Sequence, residues 1–327
     1  MTLPNYYLIS FFISLFICFI TSFIFLKFNV VDKPDGIRKI HEGEISYGGG
    51  LAIFLSILIT CLVFLDHKDL LSDGIFEIGF ISFAIIILGF IDDIKPLPIA
   101  IRLISQILIS WLVILLTDIY VKDLGDLFGF GNIYLGELGI PITIFMVVGM
   151  CNAFNMLDGI DGLVVAVAFS VFTAVCIISM LKGISLVLAF IPSIALFVFF
   201  LFNLGLLGKK WKMFLGDSGS MWLGFITAWY LIVFSQGEDI LFSPPVALWM
   251  VMLPLIDALS TFLTRMRQRK PIFSGDRTHI HHIMLDSGIE KWKVIVTLFS
   301  SSILFASLGV LCTLYLVEDS ILFYGFL

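Results

Sequence analysis

The chain has 327 residues, of which 60% are hydrophobic and 13% are charged, and its formal net charge is −6. Soluble globular domains are about half apolar and about a quarter charged. This composition therefore excludes an ordinary soluble domain. The negative net charge also argues against a nucleic-acid partner.

Long apolar runs recur along the whole chain. A helix needs about 20 apolar residues to cross a bilayer, within a range of about 17–25. Ten runs meet this requirement: residues 6–27, 47–65, 75–91, 99–117, 136–154, 162–181, 184–203, 218–235, 244–264 and 293–316. The first run lacks a basic leading segment and a cleavage site, so we interpret it as a retained span and not a signal peptide. We predict an all-α polytopic membrane protein in which residues 1–327 form one domain of about ten transmembrane helices.

The basic residues predict the orientation of these spans. If the residues before the first run lie outside, the loops alternate between the outside and the inside. Of the 19 Lys and Arg residues, only Lys68, Lys122 and Lys182 then fall outside. Basic residues concentrate on the cytoplasmic side of membrane proteins. We therefore expect both termini to be periplasmic or extracellular.

Five aspartates lie at predicted cytoplasmic ends of spans, in three separate segments. They are Asp92 and Asp93 in GFIDDIKP, Asp158 and Asp161 in NAFNMLDGIDGL, and Asp217 in FLGDSGS. Acidic groups at a membrane edge are costly and commonly mark functional sites. Solvated loop acids and helix caps are the alternatives. The convergence of three segments on one face favours an active site on the cytoplasmic side.

The residue types in this acidic set favour a divalent cation and phosphate. Carboxylates without a thiolate suit a hard cation, and Mg²⁺ commonly shares its shell with substrate phosphates. The Gly and Ser residues of FLGDSGS suit a turn that opens a helix, where backbone N–H groups can face an anion. On a helix, Asp158 and Asp161 would share a face, while Gly159 and Gly162 allow a backbone or ligand to come close. Carboxylates, a metal and nearby basic groups are typical of phosphoryl transfer.

Three of the five histidines lie in RTHIHH. Their spacing resembles a zinc site, but no cysteine is nearby and further ligands are not local. Arg277 and the segment TRMRQRK at residues 264–270 form a basic surround that favours phosphate over a cation. Phosphate or substrate binding, proton transfer, zinc ligation and a structural role all stay open. On a helix, His279 and His282 would share a face, while His281 would point elsewhere.

These motifs, in order, resemble the polyprenyl-phosphate N-acetylhexosamine-1-phosphate transferase family. The resemblance rests on IDDIKP, NAFNMLDGIDGL, FLGDSGS and RTHIHH, and it extends back to DKPDGIRKIHEG at residues 32–43. HIHH and HEGEISYGGG are similar to the branch that starts O-antigen, common-antigen and teichoic-acid linkage synthesis. They are less similar to the phospho-MurNAc-pentapeptide translocases, which have three consecutive histidines. Ser46 replaces a proline that is usual in this branch, which puts the rigidity of its loop in doubt.

The resemblance implies a reaction. Undecaprenyl phosphate attacks the sugar-bearing β-phosphate of a UDP-N-acetylhexosamine, UMP leaves, and Mg²⁺ or Mn²⁺ is required. The product starts a lipid-linked surface glycan in the bacterial cytoplasmic membrane. The branch favours UDP-N-acetylglucosamine, with a modified 6-deoxy-N-acetylhexosamine or the MurNAc-pentapeptide donor as alternatives. Whether the chain forms a homodimer stays open.

The resemblance also implies roles for the aspartates. Asp217 corresponds to the metal ligand. Asp92 and Asp93 correspond to catalytic groups near the lipid phosphate, one of which is a candidate base. Asp158 and Asp161 belong to the same catalytic set and contact the donor nucleotide or organise the metal site.

Further positions of the resemblance bind the donor. Asn155 contacts the nucleotide, and Phe214 stacks on uracil. Five basic residues bind the pyrophosphate or the sugar: His279, His281, His282, Arg265 and Arg277. Of these, His279 is also assigned to the catalytic set. A basic cluster beside a membrane can instead hold anionic lipid.

A cation-coupled transporter is the alternative from a different class. Transporter sites lie near the bilayer midplane on broken helices, whereas the acids here lie at predicted cytoplasmic ends. Only Asp257, near Pro254 in the ninth run, lies deeper. We interpret Asp257 as a polar contact between helices and not as a catalyst. The sequence thus favours the transferase.

Overall fold

The computed structural model describes residues 3–32, 43–64, 74–183, 187–237, 240–269 and 278–327. These residues form thirteen α-helices and one two-stranded antiparallel sheet. The helices are α1 (Leu3–Lys27), α2 (Gly49–Val63), α3 (Ile75–Ile94), α4 (Ile99–Thr117), α5 (Gly139–Leu157), α6 (Leu163–Leu181), α7 (Val187–Asn203), α8 (Gly216–Gln236), α9 (Pro244–Met250), α10 (Met252–Arg267), α11 (Ile280–Asp286), α12 (Lys291–Leu314) and α13 (Asp319–Phe326). The strands are β1 (Val31–Asp32) and β2 (Ile45–Ser46). Every predicted apolar run overlaps a helix, and the ninth run overlaps two, α9 and α10.

Six of the described helices are long and apolar enough to cross a membrane: α1, α4, α5, α6, α8 and α12. α9 and α10 form a seventh candidate if they are one broken span, bent by 78°. Pro254 explains the break, because it has no N–H to donate to the carbonyl group of Met250. α2 and α7 are shorter, and α3 carries Glu77, Asp92 and Asp93. The structure thus shows a helical, multi-pass membrane protein, while the count of ten spans stays a prediction.

α8 lies at the centre of the bundle. Residues 218–235 are all buried, and the helix packs against α2, α3, α5, α6 and α9. Small residues let membrane helices approach closely, and a Cβ on Gly224 would lie 2.4 Å from the carbonyl oxygen of Met150. The buried Trp222 donates its indole N–H to Ser82 Oγ at 2.8 Å. The centre of the bundle is therefore tightly packed, with this polar atom satisfied.

The small sheet fastens the start of α2 to the loop before α8. β1 pairs with β2, and the Tyr47 hydroxyl donates to Asp32 at 2.5 Å. The carbonyl oxygen of Ser46 accepts the N–H of Phe214 at 2.9 Å. Residues 33–42, between the strands, lie outside the described part of the chain. Backbone pairing therefore holds Ser46 in place without the proline that the resemblance led us to expect.

The two ends of the bundle differ. The N-termini of α2 and α8 meet the C-termini of α3 and α5 at one end. At the other end, Gln236 Oε1 accepts the N–H groups of Lys122 and Asp123 at 2.9 and 3.0 Å, and Asp319 accepts the N–H of Asp126 at 3.1 Å. α8 has 21 residues, so at 1.5 Å per residue its ends lie about 30 Å apart.

Candidate active site

Asp217 lies in the first turn of α8, and Asp93 holds that end of the helix. The Asp93 carboxylate, in the last turn of α3, accepts the backbone N–H of Asp217 at 2.8 Å and that of Ser218 at 3.2 Å. A carboxylate at a helix N-terminus satisfies otherwise unpaired N–H groups and interacts favourably with the helix dipole. Asp93 therefore caps α8 and fixes the backbone that carries Asp217.

Glycines bring three helices together beside Asp217. A Cβ on Gly89 of α3 would lie 2.4 Å from Ser218 Cα, and a Cβ on Gly50 of α2 would lie 2.5 Å from Gly219 Cα. Such distances leave no room for any larger residue. α2, α3 and α8 thus meet backbone to backbone at the turn that carries Asp217.

The Asp217 side chain is held from α5 and lies against Asp92. The Asn155 amide donates to Asp217 Oδ1 at 2.7 Å, and the carboxyl groups of Asp92 and Asp217 interact directly. Asp92 also accepts the N–H of Leu97 at 2.6 Å and Nη1 of Arg102 at 2.8 Å. From the sequence, Arg102 counted only as one of the basic residues that predict the orientation of the spans. In the structure it belongs to the site, because it pairs with Asp92.

Asp158 and Asp161 lie in the turn between α5 and α6. α5 ends at Leu157 and α6 begins at Leu163. The expectation that the two aspartates share a helix face is therefore wrong. The turn still keeps them close enough for the charge of Asp161 to raise the pKa of Asp158.

The carboxylates from the three segments converge in space, as the sequence predicted. Although Asp158 is partly exposed, desolvation and the charges of Asp217, Asp161 and Asp93 raise its pKa well above the usual range. Carboxyl groups from α3, α8 and the turn after α5 thus lie close enough to Asp158 to repel its ionised form. A divalent cation would relieve that repulsion.

Two lysines neutralise Asp161. Lys212 Nζ lies 3.0 Å and Lys291 Nζ 2.8 Å from Asp161 Oδ2. Burial alone would raise the pKa of Asp161, but the two ammonium groups outweigh it and lower that pKa. Neither lysine was predicted to belong to the site. Lys212 stands two residues before Phe214, which is a usable signal, whereas only the fold brings Lys291 here.

Phe214 lies in the loop before α8, beside the acidic cluster. Its carbonyl oxygen accepts the N–H of Gly49 at 3.1 Å, and its ring is partly exposed. The Tyr47 ring centroid is 6.5 Å from that of Phe214, and Lys212 Nζ lies 5.4 Å from the Phe214 centroid. A fixed backbone with a partly exposed ring suits stacking of a planar ligand.

The three histidines lie side by side at the start of α11. The rings of His279 and His281, both buried, are parallel within 9° with centroids 6.0 Å apart, and the His282 centroid is 4.1 Å from that of His281. The expectation that His279 and His282 share a helix face is wrong, because His279 is the N-cap residue outside the helix. A Cβ on Gly159 would lie 2.1 Å from His281 Nε2, so Gly159 makes room for this ring.

α10 presents one polar face to the histidines. Asp257, Thr261 and Arg265 follow four residues apart, and all three are buried. Asp257 Oδ2 lies 2.8 Å from Nδ1 of His279, so Asp257 is a polar contact, as interpreted from the sequence. Arg277 lies outside the described residues.

The donor set fits Mg²⁺ better than zinc. Within the described ranges, no three His, Cys, Asp or Glu side chains are arranged as a complete metal site. A zinc site built from the histidines therefore finds no support. Mg²⁺ keeps several waters and is commonly bound by one or two carboxylates plus substrate phosphates. The described aspartates also do not form a three-ligand site, but Asp217 with Asp92 beside it offers carboxylate oxygens of this kind.

Comparisons with known proteins agree on one family. A sequence model of glycosyl transferase family 4 matches residues 75–235. Three relatives carry the name undecaprenyl-phosphate alpha-N-acetylglucosaminyl 1-phosphate transferase. The Yersinia pestis protein is 32% identical over 313 residues, which cover 95% of this chain and 84% of that protein. The Escherichia coli (strain K12) protein is 33% identical over 312 residues, 91% of this chain and 82% of its own.

The third relative, from Pasteurella multocida (strain Pm70), is 32% identical over 327 residues, which cover 96% of this chain and 90% of that protein. The similarity therefore extends well beyond the segment from α3 to α8 and includes the part of the chain that carries the histidines. Identity at this level over nearly the whole length shows that the chain belongs to glycosyl transferase family 4.

Proposed function

We propose that the protein transfers N-acetylglucosamine 1-phosphate from UDP-N-acetylglucosamine to undecaprenyl phosphate and releases UMP. One observation carries the proposal: five aspartates from three segments meet at one end of a bundle of apolar helices. Such a site suits a lipid phosphate held at the membrane edge and a water-soluble nucleotide sugar. The names of the relatives support the same reaction and the same sugar.

In this reaction, an oxygen of the lipid phosphate attacks the β-phosphorus of the nucleotide sugar. The bond from that phosphorus to the oxygen that bridges to the α-phosphorus breaks. Its electron pair leaves with UMP, and the sugar C1–O bond stays intact. Charge spreads over the phosphate oxygens in such transition states, so positioning and electrostatic stabilisation dominate.

We assign the metal to Asp217, with Asp92 and Asp158 beside it. Bound Mg²⁺ or Mn²⁺ would supply positive charge to the pyrophosphate oxygens. The chain itself keeps Asp217 in place by three means, which are the Asp93 cap, the Asn155 amide and the glycine contacts.

The geometry favours positioning roles over proton transfer for Asp92 and Asp93. Both oxygens of Asp92 accept hydrogen bonds, from Leu97 and Arg102, and both oxygens of Asp93 accept from the N–H groups of Asp217 and Ser218, so these contacts hold the two side chains in place. A phosphate monoester has its second pKa near 6, so the lipid acceptor is mostly a dianion at pH 7. The reaction therefore does not need a strong base.

We assign the donor to the side of the site that carries Phe214, Asp161 and the histidines. The Phe214 ring would stack on uracil, with Asn155 and Asp158 towards the nucleotide. Lys212 and Lys291, which pair with Asp161, would also donate charge-assisted hydrogen bonds to the pyrophosphate. The remaining basic groups for the pyrophosphate and sugar are His279, His281, His282, Arg265 and Arg277.

We further propose ten spans in a bacterial cytoplasmic membrane, with both termini outside and the site facing the cytoplasm. Lys122 lies at the end of α8 opposite Asp217, and Lys182 follows the end of α6 that is remote from the site. Both lysines belong to the small group that the charge distribution assigns to the outside. This agreement supports the orientation.

The geometry favours the transferase over the transporter alternative, although α9 and α10 form a broken span near Asp257. Among the described acids at the site, the five aspartates lie at helix ends or in turns. Asp257, the deeper one, already bonds to His279 and Ile280. A cation site near the bilayer midplane would need free acceptors that these contacts occupy.

The test uses purified protein in detergent with undecaprenyl phosphate, Mg²⁺ and UDP-N-acetylglucosamine, and identifies the released nucleotide by chromatography. We expect UMP release that depends on lipid and metal. Asp217→Asn should lower it by about 100-fold or more, because several kcal/mol of charge stabilisation are lost. Asp118→Asn is a matched change at the far end, where Asp118 pairs with Lys122 at 3.1 Å on the exposed surface, and it should leave the rate unchanged.

Other outcomes separate the alternatives. Release of UDP would mean plain glycosyl transfer and would overturn the proposal. UMP released only from another UDP-sugar would keep the reaction class and change the donor.

A further inference from the structure

Asp257 is a buried carboxylate that the proposed mechanism does not use. Asp257 is 3% exposed. It lies in α10, three residues after Pro254. A buried carboxylate is costly unless hydrogen bonds satisfy both oxygens. Its partners therefore show what the position is for.

Both Asp257 oxygens contact the segment that begins α11. Oδ1 accepts the backbone N–H of Ile280 at 2.7 Å, and Oδ2 lies 2.8 Å from Nδ1 of His279. Thr261 Oγ1, one turn further along α10, lies 3.3 Å from the same nitrogen. One carboxylate thus holds both the backbone and the ring at the start of the histidine segment.

These contacts select one form of the His279 ring. A carboxylate can only accept hydrogen bonds, so Nδ1 must carry the hydrogen. The other ring nitrogen, Nε2, is then the one with a lone pair when the imidazole is neutral. The parallel His281 ring, itself seated on Gly159, limits rotation of the His279 ring.

We propose that Asp257 is a positioning residue that acts through His279: it holds the hydrogen on Nδ1, so that Nε2 is the nitrogen left for the substrate phosphates, to which it donates a hydrogen bond when the ring is an imidazolium with a hydrogen on both nitrogens. This inference rests on the proposed function, in which His279 belongs to the site for the donor pyrophosphate. Residues that orient a functional histidine through its second nitrogen typically contribute about 10- to 100-fold to function.

Asp257→Asn tests the inference at one atom. The asparagine has one oxygen acceptor and one NH₂ donor. The N–H of Ile280 can only donate, so the oxygen stays with it and the NH₂ group faces His279 Nδ1. A hydrogen on Nδ1 would clash with that NH₂ group, so the ring carries its single hydrogen on Nε2 and cannot become an imidazolium, and the charge-assisted hydrogen bond to phosphate is lost. We expect UMP release to fall by about 10- to 100-fold, while the contact that begins α11 is kept.

A double-mutant cycle separates action through His279 from general damage. In a His279→Gln background, Asp257→Asn should cost no more than about 2-fold further, because the ring it orients is absent. Losses that multiply in full would overturn the inference. Asp319→Asn is the matched control at the far end, where Asp319 also accepts a backbone N–H; it should leave the rate within about 2-fold.

A second measurement does not depend on activity. Nitrogen-15 solid-state NMR of histidine-labelled protein in lipid distinguishes protonated ring nitrogens from lone-pair nitrogens, and His279→Gln identifies the signals of His279. At alkaline pH, the unmodified protein should show hydrogen on Nδ1, and Asp257→Asn should show it on Nε2. Hydrogen on Nε2 in the unmodified protein would overturn the inference. If the NMR pattern is as expected but the unmodified protein releases no UMP, the contact between Asp257 and His279 is supported and the proposed function is refuted.

Discussion

Gly89→Ala tests whether backbone contact between α3 and α8 sets the position of Asp217. The added Cβ would lie 2.4 Å from Cα and 2.5 Å from N of Ser218, and 2.6 Å from the carbonyl oxygen of Asp217. All three are backbone atoms of the turn that carries Asp217, so no flexible side chain can move aside. Gly89 and Asp93 are four residues apart and share a face of α3. The glycine makes room for α8, and the aspartate caps it.

The expected loss follows from these distances. Ordinary van der Waals contact begins near 3.4 Å, against 2.4 Å here, so α3 and α8 must separate by about 1 Å. Overpacking of this kind costs about 1–3 kcal/mol of stability. Misplacing a catalytic group by about 1 Å can cost about 100-fold in rate. We therefore expect Gly89→Ala to fold with a lower melting temperature and to lose about 100-fold in kcat for UMP release.

The assay measures UMP release at saturating lipid and donor, with the melting temperature determined on the same preparation. Gly79→Ala is the control, because Gly79 lies in the same helix and a Cβ there would meet nothing within 4 Å. Alanine is favoured over glycine inside a helix by about 0.5–1 kcal/mol, so this variant should be stable and fully active. Gly89→Ala with activity within about 3-fold of the unmodified protein would refute the reasoning.

Two other substitutions probe the turn between α5 and α6. Gly159→Ala would put a Cβ 2.1 Å from Nε2 of His281, so we expect about 1–3 kcal/mol of destabilisation and a higher KM for UDP-N-acetylglucosamine in initial-rate measurements. Lys291→Met removes one of the two ammonium groups that lower the Asp161 pKa from its usual 3.8. Because folding lowers this pKa, the pairing stabilises the protein above pH of about 3.8, and the contribution is lost as the pH falls through the folded-state pKa. Lys291→Met should therefore move acid unfolding to higher pH. Because Lys291 is largely exposed, the substitution should lower the free energy of unfolding near pH 7 by at most about 1 kcal/mol. Melting temperatures measured across the pH range test both expectations.

Each of these substitutions has a matched control. Gly149→Ala lies in α5 with nothing within 4 Å of the added Cβ, and a KM equal to that of Gly159→Ala would contradict the contact with His281. Lys293→Met removes a pairing with Glu290 at 3.0 Å, away from Asp161. Identical acid-unfolding curves for the two lysine variants would count against the role given to Lys291.

The positions of the long helices could be predicted from the apolar runs alone. A membrane helix satisfies its own backbone hydrogen bonds, so length and apolar character largely define it. The break between α9 and α10 was not predicted, although Pro254 was visible, because a proline can bend a helix or end it depending on its neighbours. α11 and α13 were also missed, since helices of seven and eight residues depend on tertiary contacts.

The site was predicted as a set of residue types but not as a set of contacts. Helix capping was the alternative considered for the aspartates, and Asp93 has that role within the site itself. Asp158 and Asp161 would share a face only if their segment were helical, and they lie in a turn. Arg102 and Lys291 were recognised only as positive charges, because nothing in their local sequence marks a carboxylate partner.

By itself, the sequence determined a helical multi-pass membrane protein with its acids and most of its basic residues at corresponding ends of the spans. It did so because apolar length and charge distribution act segment by segment on membrane insertion. Only the tertiary structure decided which atoms meet: Asp93 with the start of α8, Lys291 with Asp161, and Asp257 with His279. These contacts join groups 124, 130 and 22 residues apart. Hydrogen bonds depend on distance to within tenths of an ångström. That precision comes from the packing of whole helices, which local sequence patterns do not specify.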